Sequence, residues 1–179
     1  GWIDQNLGRS GKLAGQYVFA PNGFLKIDRR EDGVIKIAHA IASGMVIRLS
    51  LLQQVGLMRA DLFIDWVDNE WGWRANRLGF TVLGVPSVKI EHTLGDETVS
   101  ILGRNFVARS STRNYYIVRN ALNLMLSKSI PVGAKVYLFQ KVIHHSIFCF
   151  LASKNKIAEL RMISKAYWHG ISGLLGRMR

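Results

Sequence analysis

Three carboxylates, Asp65, Asp68 and Glu70, fall within six residues of a 179-residue chain and are interleaved with Trp66, Trp71 and Trp73. Asp65 and Asp68 are about one helical turn apart, so one face of a helix can carry both. Glu70 stands four residues before Arg74, the order that favours an ion pair along a helix. Two chemistries fit this pattern. In one, Asp65 caps a helix, Asp68 sits at the positive end of its dipole and the tryptophans fill a core. In the other, the carboxylates accept hydroxyl protons while indole faces stack on the C–H faces of a sugar. Three of the five tryptophans crowd into this acidic stretch, which a solvated helix start does not require. His92, in Glu91-His92-Thr93-Leu94-Gly95-Asp96, offers an imidazole for a divalent metal, or a structural ring.

The elements that must hold these residues can be read from the pattern. Residues 24–28 and 34–40 are β-rich runs around Asp32-Gly33, which predicts a hairpin. Residues 44–49 read as a short apolar strand, and Ser50 as the cap of a brief helix over 51–55 that Gly56 ends. The next helix carries the carboxylates. Asp65 caps it, Val67, Trp71, Ala75 and Leu78 form its apolar stripe, and Gly79 closes it. Residues 80–85 and 87–91 are extended around Pro86. From Thr112 the period becomes helical: 115–126, then 132–152 after Pro131, then an amphipathic basic helix over 157–175. The glycine-rich stretch 1–15 reads as a surface loop or frayed end.

Charge divides the chain. Residues 1–100 balance eleven Lys/Arg against eleven Asp/Glu, whereas residues 101–179 hold thirteen Lys/Arg and only Glu159, the source of the whole net charge of +12. A basic back half implies an anionic partner surface, nucleic acid or lipid. No zinc-ligand pattern, RNA-recognition aromatic block or compact basic run supports nucleic acid. Helix 132–152 has the length of a membrane span. Lys135, Gln140, Lys141, His144 and His145 inside it oppose spanning, leaving a helix in the membrane interface or one packed on the domain. On one of its faces lie Val132, Val136, Phe139, Ile143, Ile147 and Phe150. The lone Cys149 excludes an internal disulfide and makes the cytosol the default compartment. The chain opens on Gly1 and carries no signal-peptide pattern, as expected of a trimmed or partial reading frame.

Several blocks occur in order: Ser43-Gly44-Met45, Phe63-Ile64-Asp65-Trp66-Val67-Asp68-Asn69-Glu70-Trp71, Val85-Pro86, the His92 segment, and Arg113-Asn114-Tyr115-Tyr116-Ile117-Val118-Arg119-Asn120. Together they resemble the second half of a family 2 glycosyltransferase of the A-type fold, nearest to bacterial rhamnosyltransferases. The resemblance implies an α/β chain: the C-terminal half of a mixed sheet with flanking helices, an incomplete nucleotide-sugar-transferase fold, followed by an amphipathic helical tail. Residues 1–111 are the expected acceptor-side half and residues 112–179 a basic, membrane-associated helical region. The resemblance makes Asp68 the general base of an inverting transfer. It places Asp65, Trp66, Glu70 and Trp71 at the acceptor, Ser43 and Gly44 at the donor, Arg113 and Arg119 at phosphates, and His92 at a Mg²⁺ or Mn²⁺ ion. The implied partners are a nucleotide-sugar donor such as dTDP-rhamnose, a lipid-linked or cell-surface glycan acceptor and an anionic membrane surface, without nucleic acid. The implied location is the cytoplasmic face of the inner membrane. Galactofuranosyl or glucosyl transfer and a non-catalytic basic binding module are the alternatives. The family's Asp-x-Asp motif has no counterpart, so the chain is expected to begin just after it and to lack turnover by itself.

Overall fold

The computed structural model describes residues 2–4, 15–88, 90–92, 97–101, 104–108 and 110–178, with side chains for 15–88 and 110–178. Strand β1 (Trp2–Asp4) lies within the stretch expected to be loop, and it pairs in parallel with β6 (Ile90–His92). Strands β2 (Gln16–Phe19) and β3 (Leu25–Asp28) form an antiparallel hairpin. Its tip is Ala20-Pro21-Asn22-Gly23. Gly23 N–H donates to Ala20 O at 2.8 Å, the Asn22 side chain accepts from Phe24 N–H, and Gly23 takes φ +80°. Proline, asparagine and glycine each pre-set a part of such a turn.

The hairpin expected around Asp32-Gly33 is therefore not formed. Strand β4 (Ile35–Ile37) pairs antiparallel with β5 (Val82–Gly84) instead of with β3. A third antiparallel pair, β7 (Glu97–Ile101) and β8 (Arg104–Ala108), has no counterpart in the sequence expectations. Residues 44–49 are not a strand. Gly44 takes φ +81°, Val46 is fully exposed, and helix α1 (Leu49–Val55) already begins at Leu49. Ser50 thus lies inside α1, while Gly56 ends it at φ +89° as expected.

After a 3₁₀ turn, Ala60–Leu62, comes α2 (Val67–Arg77). Its N-cap is Trp66 in a left-handed conformation, so Asp65 does not cap it. At its other end Gly79 N–H donates to Asn76 O and Phe80 N–H to Ala75 O, a Schellman closure. Leu78, expected in the buried stripe, is exposed, whereas Trp73 is fully buried. Gly72 lets α2 approach residues 38–39: an added Cβ would stand 2.8 Å from His39 Cα.

The remaining helices match expectation closely: α3 (Ser111–Leu126), α4 (Val132–Ala152) and α5 (Lys156–Ser172). Ser110 caps α3 and Asn155 caps α5 through their side chains. Helix α3 is buried nearly all round, from Asn114 to Ala121, which marks it as the central element. One core cluster joins Leu62 and Trp73 to Tyr115, Val118, Leu124, Leu138, Val142 and Ala166. The core runs through the expected boundary near residue 111.

Candidate active site

A cleft of about 1250 Å³ opens between the β2–β3 hairpin, the loop 39–46, the start of α2, strand β5, and the inner sides of α3 and α4. Asp65, Trp66, Ser43 and Gly44 all line it. Three non-glycine residues, Phe63, Asp65 and Trp66, have positive φ (66°, 62° and 68°). Such backbone persists only where the surroundings over-determine it. Here the Asn120 amide donates to Leu62 O at 2.9 Å, Ile64 O at 2.8 Å and Asp65 O at 3.2 Å. Trp66 Nε1–H donates to Ile117 O at 2.9 Å, fixing its ring against the cleft wall.

Asp68, on the first turn of α2, accepts Ala42 N–H on Oδ2 at 2.8 Å. It is not itself a lining residue. Its neighbour Asn69 is, and so are Ile41 and Ser43 on either side of Ala42. The carboxylate therefore ties the Ser43-Gly44 loop to the helix start. Asp65 receives Arg113 in a two-pronged pair, Nε to Oδ2 at 3.2 Å and Nη2 to Oδ1 at 3.3 Å.

Three expected site residues lie away from the cleft. Glu70 is buried and paired with Arg74, Nε to Oε1 at 2.8 Å; Arg74 also donates to Val55 O and to Leu57 O, clamping the end of α1. Trp71 is buried with its Nε1–H on Gly56 O at 2.8 Å. Arg119 takes the packing role: it donates to Gly176 O at 2.6 Å, Leu62 O at 2.9 Å and the Asn120 side chain, and lies 4.7 Å over the Tyr116 ring. His92 ends β6, in register with Asp4 of β1; its side chain is outside the described residues.

Sequence reasoning missed part of the cleft. Tyr17, His39 and Tyr137 join Trp66 in lining it. His39 stacks on Tyr17 (5.3 Å, 22°) and its Nδ1 accepts Trp73 Nε1–H at 3.1 Å. Burial pushes its imidazole down to about 4, so it is neutral near pH 7. Burial and a hydrogen bond with Tyr17 raise the Tyr137 phenol well above its ordinary value. No local motif marks these residues, which the chain brings together from a strand, a loop and a helix.

Aromatic faces beside carboxylates and a glycine-containing loop make a cleft suited to a polyhydroxylated ligand, as in sugar-transferring enzymes. The chain is 33% identical over 141 residues to a dTDP-rhamnosyl transferase, RfbF, of Shigella flexneri, a match covering 79% of this chain and 48% of that protein. It thus spans about half the length of the curated relative it matches. No family model matches the chain, and no solved structure matches it.

Proposed function

We propose that the chain is the acceptor-side portion of an inverting family 2 glycosyltransferase that moves rhamnose from dTDP-rhamnose to a lipid-linked or cell-surface glycan on the cytoplasmic side. The likeness to the rhamnosyl transferase supports the class. The observation that carries the mechanism is Asp68: one oxygen holds the Ser43-Gly44 loop, and no hydrogen bond reaches Oδ1 among the described residues. In this reading the acceptor hydroxyl oxygen bonds to the anomeric carbon from the face opposite the diphosphate. The carbon–oxygen bond to the diphosphate breaks, and the hydroxyl proton passes to Asp68.

Trp66, Tyr17 and Tyr137 offer faces to the acceptor sugar, and Asp65 offers an acceptor for its hydroxyls. Ser43 and Gly44 border the donor, with Arg113 beside Asp65 as the cation for its diphosphate. Buried Glu70, Trp71 and Arg119 support the site from behind. Asp4 and His92, in register at the carboxyl ends of neighbouring parallel strands, would hold Mg²⁺ or Mn²⁺. Carboxylate and imidazole suit these ions. Such an ion stabilises a departing diphosphate.

Asp68→Asn is the direct test, because asparagine keeps an acceptor for Ala42 N–H while losing the base. In the full-length enzyme it is expected to lower kcat by about 100-fold or more, with donor binding by calorimetry unchanged. Undiminished turnover would sink the assignment.

A further inference from the structure

Helix α4 has two apolar faces. Ala134, Leu138, Val142 and Cys149 are buried. The opposite face carries Val132, Val136, Phe139, Ile143, Ile147 and Phe150 at steps of three and four, and it looks outward: Val132 is 73% exposed, Phe139 55% and Ile147 54%. The stripe runs about 27 Å along the helix. A helix side meeting only water carries charged or polar residues at such positions.

Both ends of the stripe are basic. At its start Arg77, Lys128 and Lys135 gather around a hollow of about 760 Å³ floored by Ile130 and Val132. At its end stand Lys154 and Lys156; Lys156 Nζ donates to Phe150 O and Leu151 O at 2.7 Å and lies 5.4 Å from the Phe150 ring centre. The only carboxylate beyond residue 100, Glu159, is buried against Ser111 and Asn114. None of α3, α4 and α5 therefore presents an exposed acidic side chain.

We propose that the outward face of α4 lies on an anionic lipid leaflet, its apolar stripe sunk into the interface and the cations at its two ends on lipid phosphates. Charge complementarity selects this occupant. A second copy would set one basic end against another and be repelled. Crossing the bilayer is a different matter: among the described residues no helix is long and apolar enough to span a membrane, and the inner face of α4 is committed to the core. The placement goes beyond the transfer chemistry and does not depend on it, since vesicle binding needs no turnover.

The test is co-sedimentation with phosphatidylcholine vesicles, with and without phosphatidylglycerol. The chain should sediment with the anionic vesicles at low salt and be released as salt rises. Phe139→Glu with Ile143→Glu, and separately Lys128→Glu with Lys154→Glu, should each weaken binding by about tenfold or more. All four side chains are exposed, so circular dichroism and melting should match the parent. Failure to bind anionic vesicles, equal binding to neutral ones, or indifference to both variants overturns the proposal. A dimer abolished by Phe139→Glu, with no vesicle binding, assigns the stripe to a second copy.

Discussion

Asp68 and Glu70 stand two positions apart on α2 and meet different surroundings. Glu70 is sealed in with Arg74, and removing one partner of a buried pair leaves the other charge uncompensated. Glu70→Gln is therefore expected to cost about 3 kcal/mol in urea unfolding, while Asp68→Asn should stay within about 1 kcal/mol of the parent. Equal stability of the two variants would contradict this division. His39 adds a pH signature. Its folded value near 4 lies below the ordinary 6.5, so between them the unfolded chain binds a proton that the folded chain does not. Stability is complete above the higher value and is lost as pH falls through the window. From about pH 7 to about pH 5 the loss should be about 2 kcal/mol. His39→Gln should flatten that slope, and an unchanged slope would place its origin elsewhere.

At the scale of elements, the decisive one is the short segment ahead of α2. Its left-handed residues depend on Asn120 and Arg119, fifty-odd positions away in sequence. Asn120→Ala removes the amide from Ile64 O and Asp65 O, while Leu62 O keeps Arg119, and is expected to destabilise by about 2–4 kcal/mol. Turnover in the full-length enzyme should fall as well, although Asn120 does not line the cleft; a stable variant of full activity would show that the segment holds its shape alone. The sequence made Asp65, Trp66 and Asp68 legible as a cluster because they are local. It could not show that Arg119 and Asn120 build the cluster's backbone, since their partners are carbonyls that carry no sequence signal. Period marked α3, α4 and α5, and Pro131 the start of α4, but the caps Ser110, Asn155 and Gly173 were not read and α5 ends at Ser172 rather than at 175. The strand pairing was not legible: Asp32-Gly33 is a valid turn signal, but Pro21-Asn22-Gly23 specifies a tighter one, and β4 finds its partner 47 residues on. For α4 the period gave the apolar stripe, yet period alone cannot say which side the core occupies when both sides are apolar.

For the molecule as a whole, the question is what binds helices α3–α5 to the loop ahead of α2. Part of the answer is the end of the chain. Beyond Gly173, which closes α5 at φ +71°, the backbone returns to the site: Gly176 N–H donates to Asp61 O at 2.6 Å, Gly176 O accepts from Arg119, and Met178 N–H donates to the Tyr116 hydroxyl at 2.6 Å. Arg177 covers the Phe63 ring at 5.9 Å. This strap presses on the very loop whose strained residues precede Asp68. Removing residues 175–179 deletes these three hydrogen bonds and leaves the buried Arg119 guanidinium short of one acceptor. At about 1 kcal/mol for each bond, the loss should be about 3 kcal/mol. For a chain of this size that lowers Tm by about 6–12 °C. Restoring Gly176 without the basic ending, by replacing Arg177 and Arg179 with Gln in the intact chain, should recover most of the melting temperature because the bonds at Gly176 and Met178 are made by the backbone. If instead the truncated chain melts with the parent, the strap is ornamental and the strained loop is held by α3 alone. If the Gln variants melt as low as the truncation, charge rather than the backbone clasp fastens the helices to that loop.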